Sequence, residues 1–432
     1  MLVRFRCKNF RSFKQDATLS MQAATGDEYR DLNTFEVNPK LFASGENVLL
    51  KSAVVYGPNA SGKSNLLKAM HYMQNVVIFS STASLGVVKS NEPFALCDQC
   101  ADQPSEFEII MITDDILYRF MFSIHRMRIV HEKLERRCER LTTVYERNES
   151  QISIAGLDQN TAKFIRIEDN SLFMSIFQQY QLPADIATDL SRVKKWFIKL
   201  LIVFEENVMS FTKYEQNGRF IDEAVRIMKL ADIGIKTFMV QKEKIEFKQK
   251  NSFESLKDLQ YMLTDPLQLD AEGGSIGKVD LKTVFDVRDG GGNVVGEKEV
   301  LLLRDRGFHS EGTRRLMFYL GWILTSLYDG RVILIDEIDT KFHFTLADYL
   351  LRMYNSIDQN AKNAQLVCTA HNLMLMDDNL RRDQIYFTNK DAYGASKLVS
   401  LSEFKNVRKT DLFSKKYLLG FYSSIPAMNE EM

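Results

Sequence analysis

The chain contains the stretch Gly57-Pro58-Asn59-Ala60-Ser61-Gly62-Lys63-Ser64, in which a glycine is followed by four residues and then by glycine-lysine-serine. An apolar run at residues 52–56 precedes it, and a helix-like stretch at residues 65–70 follows it. Strand, loop and helix in this order form the setting in which a glycine-rich loop of this spacing binds phosphate. The stretch therefore predicts an α/β fold built around a phosphate-binding loop.

Each part of this loop has a physical task. Glycines let the backbone turn tightly, so that successive N–H groups face the phosphate oxygens. The N-terminus of the following helix adds its partial positive charge. We expect Lys63 to reach the β- and γ-phosphates and the Ser64 hydroxyl to be a ligand of Mg²⁺.

A second acidic motif completes the chemistry that such a loop needs. Asp336-Glu337 follows the apolar run 331–335, which has the pattern of a parallel strand buried on both faces. Ligands bind at the carboxyl ends of such strands. We expect Asp336 to hold Mg²⁺ and Glu337 to take a proton from the attacking water. More than half of the chain separates Lys63 from Asp336, which favours a head with a large insertion over a compact ring-forming module.

Two further segments border the acidic motif. In the first, Ser310 precedes a helix-like run and has the side chain of a good N-cap, while Gly312 lets backbone approach a ligand closely. Taken alone, a plain helix cap explains this segment. In the second, His371 follows the apolar run 365–369, again at a predicted strand end. A histidine in such a place is usually structural when it is considered alone.

The periodicity of the chain predicts mixed sheets with flanking helices. Alternating runs predict antiparallel strands at 2–10, 107–113, 117–124 and 126–131, and helical spacing dominates 185–261, with a hairpin strand at 237–247. A hairpin is expected around 289–293, followed by an alternating β/α series to residue 369. We expect a head lobe at 1–140, an inserted and mainly helical arm or lid at 141–280, and a second head lobe at 281–432.

Composition excludes several classes of protein. Of the 432 residues, 45% are hydrophobic, which is too many for a disordered chain, and the net charge of −1 gives no overall basic field to attract nucleic acid. No apolar run approaches the ~20 residues that span a bilayer. Five widely spaced cysteines are typical of reduced thiols. Cys97 and Cys100 lack two further ligands for zinc, so two ordinary thiols are favoured over a metal or redox site. We expect a cytoplasmic protein that does not bind a membrane.

Taken together, these motifs resemble the ABC-type ATPases of the SMC and RecF class. They are still more similar to the prokaryotic AAA family ATPases related to the overcoming-lysogenisation-defect and abortive-infection proteins. The likeness covers both ends of the chain and says little about residues 140–280. It is carried by Asn9-Phe10-Arg11-Ser12-Phe13, by residues 57–64, by Ser310-Glu311-Gly312-Thr313, by Ile335-Asp336-Glu337-Ile338-Asp339, by His343, by Thr369-Ala370-His371-Asn372 and by the tail 417–426.

The resemblance implies two facing heads. Each ATP would be held between the phosphate-binding loop of one copy and residues 310–313, here called the Ser310 segment, of the other. It implies Glu337, Lys63 and His371 as catalytic residues, with Ser64 and Asp336 at the magnesium ion. Glu311 and Thr313 depart from the transporter signature Leu-Ser-Gly-Gly-Gln, and no glutamine is assigned to a Q-loop. The residues implied to bind ATP are Arg11, Gly57, Pro58, Asn59, Ala60, Ser61, Gly62, Lys63, Ser64, Asn65, Ser310, Gly312, Thr313 and Asp339.

The close subgroup resemblance makes a sensor or regulator of an anti-phage, abortive-infection system the leading hypothesis. Residues 372–432 are too few for a nuclease domain of usual size, so a separate effector, a nuclease or toxin, is expected. The alternatives are a repair or chromosome-maintenance ATPase of RecF type that binds duplex DNA and a scaffold that does not hydrolyse ATP; the intact Glu337 disfavours the scaffold. The DNA alternative rests on basic side chains, namely Arg126, Arg128, Arg136, Arg137, Arg140, Lys242, Lys244, Lys248 and Lys250.

Overall fold

The structure is a computed structural model, and it describes most of the chain. The predicted helix at 253–263, Lys248, Lys250 and the tail residues 423–426 lie outside the described residues. In the described part, no helix is both long and apolar enough to cross a membrane. The described residues are 1–42, 47–81, 87–204, 209–214, 216–230, 234–245, 276–302, 304–305, 307–405, 407–408 and 411–422.

Strands occur along the whole described chain and are numbered in chain order. They are β1 (Leu2–Lys8), β2 (Ala17–Ser20), β3 (Thr34–Glu36), β4 (Val48–Leu50), β5 (Ser52–Tyr56), β6 (Ser105–Thr113), β7 (Ile116–His125), β8 (Arg128–Arg137), β9 (Leu141–Asn148), β10 (Gln151–Ile154), β11 (Leu201–Val203), β12 (Ile235–Ile245), β13 (Ile276–Arg288), β14 (Val294–Leu301), β15 (Val332–Ile335), β16 (Gln365–Thr369), β17 (Ile385–Lys390) and β18 (Ser396–Ser400).

Helices flank these strands. The longest ones carry the site and its supports, and the shorter ones connect strands. Those of α type in the described residues are Arg30–Asn33, Lys63–Phe79, Gln159–Ala162, Phe173–Ile176, Ala184–Lys199, Gly218–Leu230, Glu311–Asp329, Phe344–Asn355 and Phe413–Leu418.

A seven-stranded antiparallel sheet is built mostly from the N-terminal part of the chain. Its strand order is β10-β9-β8-β7-β6-β1-β2. The predicted strands of this region are present, and burial alternates along β7, so that one face of the sheet packs into the core. The sheet continues past residue 140, because β8 and β9 pair with each other. The boundary drawn between residues 140 and 141 therefore lies between paired strands, and the division into head and arm stays a prediction.

A six-stranded sheet of order β11-β15-β16-β5-β17-β18 carries the phosphate-binding loop. Its strands are parallel except for the final pair, β17 and β18. Residues 201–203 of the predicted arm form its edge strand. The strands β5, β16 and β15 are neighbours, so their carboxyl ends, and the residues that follow each of them, meet at one edge of the sheet.

Both faces of this parallel sheet are covered, as the apolar runs predicted. On β5, Ala53 and Val55 pack into the core shared with the helix Lys63–Phe79 and the antiparallel sheet. Val54 and Tyr56 pack into a second core with the helices Glu311–Asp329 and Phe344–Asn355. Side chains of neighbouring residues point to opposite faces of a strand, and both faces here are apolar. The loop is therefore held between two packed layers.

A third sheet, of order β12-β13-β14, precedes the Ser310 segment. The strand β13 pairs antiparallel with both neighbours, which confirms the hairpin predicted around residues 289–293. The described residues between 141 and 280 thus contain both helices and strands.

One expectation about the cysteines is wrong. Cys97 and Cys100 are joined in a disulfide, with their Cα atoms 5.3 Å apart, and are not two separate thiols. The reason is local geometry, because a tight turn between them brings the two side chains together. Cys7, Cys138 and Cys368 remain free.

Candidate active site

The phosphate-binding loop turns between β5 and the helix Lys63–Phe79, and two of its glycines are sterically required. Gly57 has a φ of 154°, and a Cβ there would lie 2.4 Å from the carbonyl oxygen of Thr388. Gly62 has a φ of 114°, and a Cβ there would lie 2.5 Å from Ser396 Oγ. Ala60 also has a positive φ, 62°, while Pro58, Asn59 and the rest of the tip face outward. The wall formed by β17 and β18 therefore fixes the path of the loop.

Lys63 bends back over the loop that it follows. Its ammonium group donates to the carbonyl oxygens of Gly57 at 2.7 Å and Pro58 at 3.1 Å. Burial lowers the pKa of Lys63, and the nearby carboxylates of Asp336, Glu337 and Asp339 act in the opposite direction. A cation held inside the turn, close to three carboxylates, is placed to compensate phosphate charge.

Ser64, Asp336 and Thr369 form one hydrogen-bonded group. Ser64 Oγ donates to Asp336 Oδ1 at 3.1 Å across 272 residues of sequence. Thr369 Oγ1 donates to the same oxygen at 2.6 Å and accepts from the Glu337 backbone N–H at 2.7 Å. Thr369 lies at the end of β16, between the other two strands. Sequence reasoning gave Thr369 no role of its own, although its position at the end of an apolar run was the available signal.

Glu337 sits in a turn that aims its carboxylate away from the sheet. Its φ is 53°, an uncommon conformation for a side chain other than glycine. Thr340 Oγ1 donates to Glu337 Oε2 at 3.0 Å, and His371 Nε2 lies 3.7 Å from Glu337 Oε1. The structure thus brings together the residue predicted as the base and the histidine predicted to be catalytic.

Asp339 organises the segment that carries His371. Its Oδ2 accepts from the backbone N–H groups of His371, at 2.8 Å, and Asn372. Its Oδ1 is buried without a hydrogen-bond partner among the described residues. Within one chain, Asp339 therefore fixes the backbone at His371; its implied contact with ATP stays a prediction.

The Ser310 segment is a helix cap in this single chain. Ser310 Oγ accepts from the Thr313 N–H at 3.0 Å and lies 2.8 Å from Thr313 Oγ1. A Cβ at Gly312 would lie 2.9 Å from the carbonyl oxygen of Lys341, so glycine is required there for close packing. Glu311 forms an ion pair with Lys341 at 3.2 Å. The described contacts of this segment are with its own helix and with the turn after Glu337.

Two residues on the same helix, missed from the sequence, connect it to the acidic motif. The Tyr319 hydroxyl donates to the carbonyl oxygen of Asp336 at 2.9 Å. Arg315 contacts the Tyr319 hydroxyl and reaches the carbonyl oxygen of Glu337 at 3.4 Å. Burial raises the pKa of Tyr319 to about 12, so the hydroxyl stays protonated as a donor. No motif spacing marked these residues, because their partners are backbone atoms far along the chain.

Arg11 does not join the loop in this structure. Its guanidinium pairs with Glu92 at 2.7 Å. The Oγ of the next residue, Ser12, accepts a hydrogen bond at 2.8 Å from Nδ2 of Asn65, the residue that directly follows Ser64. The strand-end turn at residues 10–13 therefore contacts the loop through Ser12, and the Arg11 side chain points to another partner.

The residues present fit a nucleotide with magnesium. Gly62 caps the helix Lys63–Phe79 without a side-chain hydrogen bond, so no capping side chain occupies the start of the helix, where backbone N–H groups can donate to phosphate oxygens. The Ser64 hydroxyl and the Asp336 carboxylate are the hard oxygen donors that Mg²⁺ prefers. In the described part of the chain, no group of three or more His, Cys, Asp or Glu side chains is placed to hold a metal ion.

Several basic residues of the DNA hypothesis are engaged in ion pairs. Arg126 pairs with Asp102 at 2.6 Å, Arg128 with Asp169 at 3.6 Å, and Arg136 with Asp189 and Asp185. Each carboxylate offsets charge that a phosphate backbone would need. No observation on these residues favours duplex DNA as a ligand.

Comparison with protein families gives one match. The family model described as "AAA domain, putative AbiEii toxin, Type IV TA system" matches residues 52–377, from β5 to the segment after His371. This range covers more than half of the chain and includes the loop, the Ser310 segment and the acidic motif. No curated protein matches the chain.

Solved structures that match the chain include the SMC head domain from Thermotoga maritima, at 12% identity and a TM-score of 0.38, covering 92% of this chain and 98% of that one. The Smc head domain from Pyrococcus furiosus, bound to the C-terminal domain of ScpA, is 11% identical with a TM-score of 0.40, covering 98% and 99%. The RecF–ATP structure is 13% identical with a TM-score of 0.30, covering 92% and 97%. At these scores the likeness supports no conclusion about this chain.

Proposed function

Because this chain belongs to the family described as "AAA domain, putative AbiEii toxin, Type IV TA system", we propose that it binds ATP with Mg²⁺ and hydrolyses it. The loop N–H groups and Lys63 bind the phosphates, while Ser64 and Asp336 hold the metal. Magnesium, when bound, neutralises charge on the phosphates. Glu337 takes the proton of the attacking water, and His371, 3.7 Å away, orients and pairs with that carboxylate.

One observation carries this proposal. Thr369 joins Asp336, whose carboxylate contacts Ser64, to the backbone of Glu337, so loop, metal ligand and base share one hydrogen-bond network. Residues that are far apart in the chain are thereby fixed at one sheet edge. This arrangement is what in-line transfer to water requires, because positioning and electrostatics supply most of the catalysis.

The substitution Glu337→Gln tests the assignment of the base. We expect phosphate release to fall at least about 100-fold, as for removal of a general base, while MgATP still binds. Asp358→Asn, at an exposed acid outside the site, is the control and should hydrolyse at the parental rate. A Glu337→Gln protein that turns over normally would exclude Glu337 as the base.

We also propose that two copies complete each reaction centre. The Ser310 segment of one copy would approach the phosphates held by the loop of the other, with Ser310, Gly312 and Thr313 contacting the γ-phosphate. Such an arrangement leaves each chain alone able to bind nucleotide but slow to hydrolyse it. Trapping ATP with Glu337→Gln should give a stable dimer in light scattering, which MgADP should not give.

For the cell, we propose a sensor or regulator subunit of an anti-phage, abortive-infection system that controls a separate effector, a nuclease or toxin. The family description supports the setting of this proposal, since it names an AbiEii toxin and a type IV toxin–antitoxin system. The DNA-binding repair ATPase remains the alternative, and the ion-paired arginines do not favour it.

The cellular proposal is tested by phage plating on cells that carry this gene alone or with its genomic neighbours. We expect plaque formation to fall only when the neighbours are present, and Lys63→Ala to abolish that protection. The purified chain with MgATP should leave plasmid DNA and RNA intact. Cleavage by the chain alone, or no protection with the neighbours present, would contradict the division between regulator and effector.

A further inference from the structure

The disulfide between Cys97 and Cys100 lies outside the reaction centre and has no role in the chemistry above. Cys100 is 2% exposed and begins a short 3-10 helix, whereas Cys97 is half-buried among exposed neighbours, including Leu96. Cys97 is therefore the more exposed residue of the pair, and Cys100 is enclosed. Attack by an external thiolate is favoured at the more exposed residue, with the sulfur of the enclosed residue as the leaving group.

A first chain of contacts runs from this disulfide to the strand-end turn. The Asn9 side chain, which is 1% exposed, donates to the carbonyl oxygens of Cys100 at 2.8 Å and Gln103 at 2.9 Å. Its Oδ1 accepts from the Phe94 N–H at 3.1 Å. Asn9 has a φ of 50°, a conformation that non-glycine residues seldom adopt without support. The cysteine loop, residues 92–103, supplies that support.

The same turn is fixed to the cysteine loop at a second point and to the nucleotide site at a third. The Arg11 N–H donates to the carbonyl oxygen of Glu92 at 2.6 Å, and the φ of Arg11 is 49°. Ser12 Oγ then accepts from Asn65, in the first turn of the loop helix, at 2.8 Å. The contacts that link the disulfide to the phosphate-binding loop thus pass through two residues with an uncommon positive φ, Asn9 and Arg11.

A second chain of contacts reaches the loop through the β17–β18 hairpin. Cys100 and Phe94 pack against Ala395 in a small apolar cluster with Cys97 at its edge. The next residue, Ser396, donates through Oγ to the Ser61 carbonyl oxygen at 2.6 Å. The cluster is therefore connected, through the adjacent residues Ala395 and Ser396, to the β17–β18 hairpin that fixes the path of the loop.

We propose that Cys97 and Cys100 form a thiol–disulfide exchange site whose oxidation state sets the affinity of the adjacent phosphate-binding loop for nucleotide, a proposal that rests on the proposed nucleotide site. The disulfide holds the cysteine loop in the shape that supports Asn9 and Arg11. Reduction removes that constraint, and both contact chains loosen at the loop. Only two residues separate the cysteines, so the effect on global stability is small, since disulfide stabilisation grows with loop length.

The partner in this exchange is a dithiol reductant. Its thiolate attacks Cys97 Sγ, a mixed disulfide forms, and Cys100 leaves as a thiolate that takes up a proton. The second thiol of the reductant then attacks the reductant sulfur that is bonded to Cys97 in the mixed disulfide. Cys97 is released as a thiolate, which is also protonated. Two electrons and two protons pass to the protein, and the reductant becomes a cyclic disulfide.

The test compares oxidised and dithiothreitol-reduced full-length protein, with MgADP binding measured by calorimetry. We expect reduction to weaken binding by roughly fivefold, the low end of coupling between sites. The double variant Cys97→Ser/Cys100→Ser should bind like the reduced protein and ignore dithiothreitol. Cys138→Ser, which removes an exposed free thiol, should keep the full redox response.

A second measurement needs no nucleotide and no variant. Reduction should increase amide hydrogen exchange at residues 9–13 and 61–66 and leave the strands β7 and β8 unchanged. Equal MgADP affinity in both redox states, together with unchanged exchange at these residues, would overturn the proposal. If the protein bound no MgADP in either state, the nucleotide function would fail, and the exchange measurement would still decide whether the disulfide controls the loop.

Discussion

The acidic motif and the Ser310 segment flank the same helix and differ in how complete they are within one chain. Asp336 Oδ1 accepts hydrogen bonds from Ser64 and from Thr369, and Thr369 in turn accepts from the Glu337 N–H, at 2.6–3.1 Å. Ser310, by contrast, caps its own helix and bonds to Thr313. The acidic motif has hydrogen-bond partners from distant segments, whereas the described hydrogen bonds of Ser310 stay within its own helix. The difference is consistent with the proposal that the acidic motif acts on the nucleotide of its own chain and the Ser310 segment on that of a second copy.

The largest effect is expected from a substitution in the phosphate-binding loop, which contacts the acidic motif within one chain. In Lys63→Ala, the charge-assisted hydrogen bonds to the phosphates are lost, and MgATP affinity should fall about 100- to 1,000-fold. Lys68→Ala, at an exposed lysine on the same helix, is the matched control and should bind as the parent does. Unchanged affinity of the Lys63 variant in calorimetry would exclude the loop as the nucleotide site.

The Ser310 segment should respond in a different way. Aspartate and asparagine both cap helices as well as serine does, so the fold should survive either change. In Ser310→Asp, the added negative charge should repel the γ-phosphate of the partner's nucleotide and lower turnover by roughly 30-fold, with little loss in Ser310→Asn. MgADP binding and thermal unfolding should match the parent in both. Equal turnover in the two variants would remove the trans contact from the account.

The link between the strand ends gives an intermediate effect. Thr369→Val keeps the shape but removes the bonds to Asp336 Oδ1 and the Glu337 N–H, and we expect turnover to fall roughly tenfold with affinity little changed, because such second contacts orient the groups that act. Thr388→Val is the comparison, because Thr388 contacts Ser61 of the loop; it should weaken affinity more than turnover. If steady-state kinetics showed weaker affinity in Thr369→Val and slower turnover in Thr388→Val, the roles assigned to the two threonines would be wrong.

The smallest effect is expected where the two regions touch. In Tyr319→Phe, the bond to the Asp336 carbonyl oxygen and the acceptor for the Arg315 guanidinium are both lost, which costs roughly 2 kcal/mol of stability for one neutral and one charge-assisted hydrogen bond. Turnover should fall roughly two- to threefold, because the loss of this contact lets the acidic motif shift slightly from its reactive position. Thermal unfolding and phosphate release measure the two quantities. A variant as stable and as active as the parent would show that this helix does not position Asp336.

Much of this comparison could be predicted from the sequence. The run at 365–369 is a strand with the predicted ends, because the short apolar run Leu366-Val367-Cys368 and the β-branched Val367 and Thr369 favour a buried strand. The loop, the cap at Ser310 and the strand-end positions of Asp336 and His371 follow from equally local signals. These are the features for which neighbouring residues carry the information.

The rest depends on contacts between distant segments. Thr369 and Tyr319 act through Asp336 and Glu337, and a spacing rule reveals neither contact. The sheet continues past residue 140 because β9 pairs with β8, and the Arg11 guanidinium forms an ion pair with Glu92. The pairing of Cys97 with Cys100 depends on a turn that composition does not indicate. Register and long-range packing decide all of these.

The central claim, that each reaction centre is shared by two copies, is tested most directly by mixing two impaired chains. Lys63→Ala lacks a working loop and Ser310→Asp lacks a working Ser310 segment, so a mixed dimer contains one centre in which both parts are intact. At equal concentrations, half of the dimers are mixed, and phosphate release should recover to about one quarter of the parental rate, as expected for a two-fold dimer with independent sites. A mixture no faster than the two variants measured separately would contradict the account.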